Sequence, residues 1–211
     1  MILMQGKGVS TGVERGKLYF YHRADSTVVK CASDNLEEEK RRLADAQEKA
    51  REQLEQLAEK CREEAGDESA ILFETHALFV EDEDYVECIM NELEAEQCNI
   101  EHAVQTAGIQ FAEMFANMDD AYMQARAADV RDVTQRILNN LMGIVPGGID
   151  SEEPVILAAD DLAPSETIQL DKSKILAFAT QGGSGNSHTA ILARTMGIPA
   201  ICGLGDSIRP E

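Results

Sequence analysis

The chain has 211 residues, 44% hydrophobic and 27% charged, the make-up of a folded globular protein of one large domain or two small ones. Its formal net charge of −20 argues against nucleic acid and against an anionic membrane surface, both of which select basic stripes, and leaves a basic protein or a small substrate as partner. Five scattered cysteines without a CxxC pair fit reduced thiols of the cytoplasm, and no apolar run approaches the roughly 20 residues of a membrane span.

Through about residue 30 the chain reads as strands. GKLYFYH and STVVKCA are rich in aromatic and β-branched residues and are broken by Gly, Asp and Ser. From Ser33 to Gly143 it reads as helix. Asn35, with Glu38 three positions later, is a capping-box-like start. Apolar positions then recur at Leu36, Leu43, Ala50, Leu54, Leu57 and Cys61, and Gly66 ends the run. A second helix is predicted from Glu68 to about Phe79, followed by an acidic turn, Glu81–Asp84, and a helical piece through Leu93. Ile100–Phe115 and Met123–Met142 carry two further apolar faces, the last stopped by Gly143. Narrow apolar stripes joined by short turns predict an antiparallel helical bundle.

Beyond the boundary at Pro146-Gly147-Gly148 the pattern alternates. PVILAAD and KILAFAT read as buried strands, with SETIQL between them as a short helix capped by Ser165. SHTAILARTMG reads as a helix closed by Gly197, and PAICG as a third strand. This is α/β alternation with crossover helices. The first strands have too little core alone and are expected to join it. The predicted fold is therefore a discontinuous α/β domain over residues 1–32 and 144–211, with an all-α helical-bundle subdomain inserted at 33–143.

One loop carries chemistry. Gly182, Gly183, Ser184, Gly185, Asn186 and Ser187 run from a predicted strand into a helix that begins at Ser187 or His188. Glycines let backbone approach a ligand closely, and free amides at a helix start favour an anion. The same field disfavours imidazolium, so a neutral ring nitrogen of His188 would face an anion-holding cradle, as phosphoryl capture requires. Asn186, Ser187 and Thr189 add candidate hydrogen bonds. A structural cap or surface histidine is the competing reading, and local sequence alone leaves both open. His22, His76 and His102 lie in other zones without metal-ligand spacing, and no Gly-Lys-Ser/Thr follows the glycines as in a Walker loop.

The stretch GGSGNSHTAILARTMGIPAICG resembles the swivelling phosphohistidine domain of phosphoenolpyruvate-utilising enzymes. Together with KGVSTGVERGKLYFY, ILFETHALFVEDEDY, RAADVRDVTQRILNNLMG and LAADDLAPSETIQL, it resembles enzyme I of the bacterial phosphoenolpyruvate:sugar phosphotransferase system. The resemblance implies that His188 is phosphorylated from phosphoenolpyruvate and passes the group to the phosphocarrier protein HPr for sugar uptake. It implies that Thr167 hydrogen-bonds the resting histidine. It also implies that the helical zone docks HPr through His76, Leu78, Phe79, Glu83, Asp84 and Arg126. Alternatives are the swivelling domain of a dikinase or synthase of the same superfamily, or a phosphocarrier-binding module without turnover.

Two departures stand out. Where the family loop reads GGRTSHT, Ser184, Gly185 and Asn186 replace its Gly, Arg and Thr, and Thr11 stands where proline is usual. The family continues into a C-terminal (β/α)₈ barrel that binds phosphoenolpyruvate and Mg²⁺ and dimerises. The chain is accordingly expected to be an N-terminal piece of a homodimeric protein. As such it would exchange phosphoryl groups with phospho-HPr but not label itself from phosphoenolpyruvate.

Overall fold

The computed structural model describes residues 3–21, 26–145, 148–160, 162–183, 185 and 187–208, without the side chains of Ala65, Ala121, Lys172, His188, Thr189, Leu192 and Asp206. The chain divides into two compact units. One comprises Ala24–Glu59 and Ala70–Pro146, the other Met1–Arg23, Lys60–Ser69 and Gly147–Glu211.

Five helices occupy the middle of the chain: α1 (Leu36–Ala65), α2 (Asp67–Phe79), α3 (Glu83–Glu96), α4 (Ile100–Ala116) and α5 (Ala121–Met142). The Asn35 side chain accepts from the Glu38 amide at 3.2 Å, as a cap should. The Glu38 carboxylate turns instead to Arg41, 2.6 Å away, so only half of the predicted capping box forms. The α1 stripe is buried at Leu43, Ala50, Leu54, Leu57 and Cys61. Around it Phe73, Tyr85, Ile89, Leu93, Ile100 and Ile137 are fully enclosed. Helices α4 and α5 pack closely because α4 offers Gly108. A β-carbon there would lie 2.4 Å from Thr134 Cγ2, so only glycine permits this approach.

Two readings of this zone change. STVVKCA is not a strand: apart from one bridge, Ala32 to Cys98, its backbone is held by the connection between α3 and α4. Asn99 Oδ1 accepts from the Cys31 amide at 2.8 Å, and Asn99 Nδ2 donates to the Val29 carbonyl at 3.2 Å. β-propensity without a neighbouring strand does not make a sheet. Glu83 and Asp84 are not in a turn either. Asp82 caps α3 by accepting from the Tyr85 amide at 3.0 Å, and the two acids fill the first helical turn, where the helix dipole favours negative charge.

The other unit is a five-stranded sheet of order β1-β5-β4-β3-β2, from β1 (Lys7–Ser10), β2 (Lys17–Phe20), β3 (Val155–Ala159), β4 (Ile175–Thr180) and β5 (Ala200–Cys202). Strands β2 to β5 are parallel, and β1 runs antiparallel on β5. The strands from both ends of the chain thus share one sheet, with the five helices falling between β2 and β3. Helix α6 (Pro164–Gln169) crosses from β3 to β4 and α7 (His188–Met196) from β4 to β5.

Strand alternation splits the core. Val155, Leu157 and Ala159 belong to one cluster with Ala190 and Ala193 of α7, while Ala158 faces another with Ala179, Leu204 and Ile208. Ile175 and Phe178 share the first cluster despite odd spacing, because a register shift between β3 and β4 inserts a residue.

Ser165 does not cap α6. Ala163 occupies the cap position, Pro164 begins the helix, and the Glu166 carboxylate reaches back to accept from the Ala163 amide at 2.8 Å. A proline at the first helical position sets the start one residue earlier than the serine suggests. Lys60, near the end of α1, donates to the Ile168 carbonyl at 2.6 Å and so satisfies the last turn of α6.

Candidate functional site

The loop before α7 is built at the C-terminal ends of the parallel strands, where α/β sheets place ligands. Its first residues are pinned from both sides. Gln181 and Gly182 donate to the carbonyls of Ala159 and Asp160 at 3.0 and 2.8 Å, continuing the β3 pairing. Gly203 donates to the Gly182 carbonyl at 3.1 Å and Gly205 to that of Gln181 at 3.0 Å. The Thr180 hydroxyl also donates to the Gly182 carbonyl, at 2.9 Å. Gly183 then turns the chain at φ +90°, a conformation that L side chains rarely adopt.

Ser187 caps α7, its hydroxyl accepting from the Ala190 amide at 3.3 Å, and the Ile191 amide donates to the Ser187 carbonyl at 3.0 Å. His188 is the first residue of the helix. The amides of His188 and Thr189 therefore have no acceptor within the helix and form the anion-favouring end. Arg194, two turns along α7, holds the loop from below. Its Nη1 donates to the carbonyls of both Gly185 (2.9 Å) and Val9 of β1 (3.0 Å). At the far end Gly197 closes the helix in the left-handed conformation.

The structure thus places Gly182, Gly183, Gly185 and Ser187 in one pinned loop leading to His188. Ser184 and Asn186, and the side chains of His188 and Thr189, lie outside the described residues. Thr167 is buried on α6, which packs against α7, and its hydroxyl donates to the Ala163 carbonyl at 3.0 Å.

The second set of candidates gathers on α2, α3 and α5. Leu78 is exposed at 77%, Glu83 and Asp84 are exposed, and Phe79 and Arg126 are half-buried. Phe79 stacks on Tyr85 with ring centroids 4.9 Å apart. Arg126 lies over the Tyr122 ring at 5.0 Å and also donates to its hydroxyl. His76 is different: it is 1% exposed and sits beneath the surface. Its Nε2 is 3.4 Å from Asp129 Oδ1 and its Nδ1 3.8 Å from Asp132 Oδ2, with Arg126 Nη1 3.8 Å from Asp129 Oδ2. Between α2 and α5 lies a mainly apolar cavity of about 260 Å³, bordered by His76, Phe79, Phe115, Tyr122 and Arg126.

Sequence reasoning did not single out Asp129, Asp132 or Arg194. Arg126, Asp129 and Asp132 recur at three-residue spacing, which puts them on one face of α5, so a search for like-faced charges would have found them. Arg194 lies in the stretch that runs on from the glycine loop, but its bond to β1 depends on the fold.

Comparison with known proteins separates the two parts of the chain. Residues 5–126 match the model of the N-terminal domain of phosphoenolpyruvate-utilising enzymes, and residues 151–209 match that of their mobile domain. The chain belongs to this family. Within it, the chain corresponds to the N-terminal region of Enzyme I, with its mobile phosphohistidine domain. It is 39% identical over 201 residues to a phosphoenolpyruvate-protein phosphotransferase of Priestia megaterium and 35% identical to one of Bacillus subtilis (strain 168). Each match covers 95% of this chain, but the chain spans only 35% of those relatives' length. A solution NMR structure of an Enzyme I protein superposes with a TM-score of 0.77 at 35% identity, covering 97% of this chain and 84% of that one. An N-terminal domain of a nitrogen-type Enzyme 1 gives 0.66 at 25% identity, covering 95% and 83%. Among the described residues no helix is long and apolar enough to cross a membrane.

Proposed function

We propose that this chain carries the phosphoryl-accepting histidine of a phosphoenolpyruvate-protein phosphotransferase, and that the residue is His188. A ring nitrogen of His188 attacks phosphorus, the bond from phosphorus to the enol oxygen of phosphoenolpyruvate breaks, and the enolate takes up a proton to become pyruvate. The group then passes to HPr as the bond to His188 breaks and one to the HPr histidine forms. The observation that supports this most is the pinned loop: it ends in a capped helix start whose first residue is His188 and whose first amides have no acceptor within the helix. Glycines 182, 183 and 185 keep side chains from crowding the incoming group. Ser184, Asn186, Ser187 and Thr189 supply hydrogen bonds to it, and Thr167 positions the imidazole.

HPr docks on the helical unit. Leu78 and Phe79 give it an apolar anchor, Glu83 and Asp84 a negative rim for a basic partner, and Arg126 a fixed cation, with His76 supporting Arg126 from beneath through Asp129. We assign phosphoenolpyruvate and Mg²⁺ to the remaining length of the relatives. Among the described residues no three His, Cys, Asp or Glu side chains converge as a metal site. The whole protein, on this reading, is a cytoplasmic homodimer that serves sugar uptake.

The test is transfer from phospho-HPr. The chain should acquire acid-labile, base-stable phosphate, and His188→Ala should abolish it. Undiminished labelling of His188→Ala would move the acceptor elsewhere.

A further inference from the structure

The loop at Gly185 has a neighbour from the other end of the sequence. A β-carbon at Gly185 would lie 3.4 Å from the Nζ of Lys7 and 3.5 Å from its Cε, and among the described residues nothing else lies within 4 Å of that position. The lysine is delivered there by its place in β1. Its cross-strand partner Cys202 is buried with Val9 in the cluster on the α7 side of the sheet, and directly opposite residues on neighbouring strands share a face, so Lys7 starts on that side although β1 carries a register shift between Gly8 and Ser10. Arg194 ties the Val9 and Gly185 carbonyls to one nitrogen, which fixes β1 beside the loop. Lys7 also pairs with Cys202 at the strand end that leads to Gly203, itself bonded to Gly182.

Among the described residues Lys7 has no carboxylate partner, although the chain carries 39 acidic residues against 19 Lys and Arg. By contrast Lys17, Lys30 and Lys40 each sit within 3 Å of a glutamate. The guanidinium of Arg194, the other cation that reaches this loop, spends Nη1 on two carbonyls. A dianionic group at the start of α7 would meet a cluster of amides and an ammonium that has no carboxylate partner among the described residues.

We propose that Lys7 is the cation of the phosphoryl-binding loop, its ammonium contacting the phosphoryl group carried by His188. This rests on the phosphohistidine reading above and names a residue that reading does not contain. It also places the end of the Lys7 side chain in ordinary van der Waals range of position 185. The rival role for Lys7 is a charge that guards β1, an edge strand, against pairing with another chain. The two roles differ in whether the charge can be moved. A loop cation works equally well from position 185, whereas a guard on the edge strand does not.

The experiment labels the 211-residue chain chemically with phosphoramidate, whose P–N bond breaks as the bond to the histidine forms and ammonia leaves. ³¹P NMR then follows the titration of the phosphohistidine. Label absent from His188→Ala assigns the signal. Lys7→Met should raise the midpoint of the phosphoryl titration by roughly half a pH unit or more, because a neighbouring cation favours the dianion. Lys7→Arg should leave it near the parent value, and Lys7→Met combined with Gly185→Arg should restore it. If the midpoint is the same in Lys7→Met and the parent, or if the double variant fails to restore it, Lys7 is not the loop cation and the phosphohistidine reading stands. If the signal survives in His188→Ala, or no label forms, that reading falls and the role of Lys7 with it.

Discussion

Arg194 and Gly185 are joined by a 2.9 Å hydrogen bond from Nη1 to the Gly185 carbonyl, and the second hydrogen of the same nitrogen goes to Val9. The loop before His188 is therefore not held by its own sequence neighbours alone. A residue on the helix it feeds and a strand from the other end of the chain fix it together. Pre-ordering of this kind matters for phosphoryl transfer, where the protein's contribution is mostly positioning and electrostatics.

Arg194→Met should release that tie while keeping most of the aliphatic length. Two hydrogen bonds from a charged donor are lost, so the α/β unit should be destabilised by about 1–3 kcal/mol. Amide exchange should quicken at Gly185 and through the first turn of α7 more than in β3 or β4. Uniform exchange changes across the sheet would show that Arg194 supports the fold as a whole and not the loop.

How far the sequence revealed this arrangement depended on the range of the interactions. The helices were legible because their signals are local: apolar spacing, Asn35 at the start of α1, Gly143 and Gly197 as stops. So was the joining of the first strands to the α/β part, since GKLYFYH has no core of its own. STVVKCA misled because β-branched residues mark a strand only where another strand is free to pair, and here Asn99 satisfies the backbone instead. Ser165 misled because Pro164 and Glu166 set the helix start by geometry and a reach-back bond. At the site, the glycines, Ser187 and His188 were visible as a contiguous motif. Lys7, Val9, Arg194 and Gly203 converge only after folding, and no spacing rule links them.

The proposed HPr face can be probed without disturbing the fold. Leu78 is mostly exposed, so Leu78→Ala should leave stability within about 0.5 kcal/mol. As an apolar anchor it should cost about 1–2 kcal/mol of HPr affinity, some 5- to 30-fold in Kd. Glu83→Lys should act differently, slowing association and flattening its salt dependence while changing dissociation little. Surface plasmon resonance at two ionic strengths separates the two effects. Unchanged kinetics in both variants would place docking on another face.

The helical unit also carries an alkaline signature. Tyr85 is fully buried, and loss of hydration pushes its phenol from 10.0 up to about 12, against the smaller opposing effect of its hydrogen bond with Thr134. Thr134 gives its own hydrogen to the Val130 carbonyl, so the Tyr85 hydroxyl donates to Thr134, at 2.9 Å. The neutral phenol is the form that the fold stabilises. Its contribution is fully present below pH 10, where the unfolded chain is also protonated, and is lost as pH rises toward 12, because the unfolded tyrosine ionises first. The span corresponds to roughly 2–3 kcal/mol. Tyr85→Phe keeps the stacked ring, loses one hydrogen bond and removes the ionisation. At pH 7 it should be less stable than the parent by about 1 kcal/mol. Between pH 10 and 12 the parent should lose that advantage and the two stability curves should cross. Urea midpoints at pH 7, 9, 10.5 and 11.5 would reveal the crossing. A constant gap between the two proteins over that range would mean that the Tyr85 phenol ionises in the folded chain as readily as in the unfolded one.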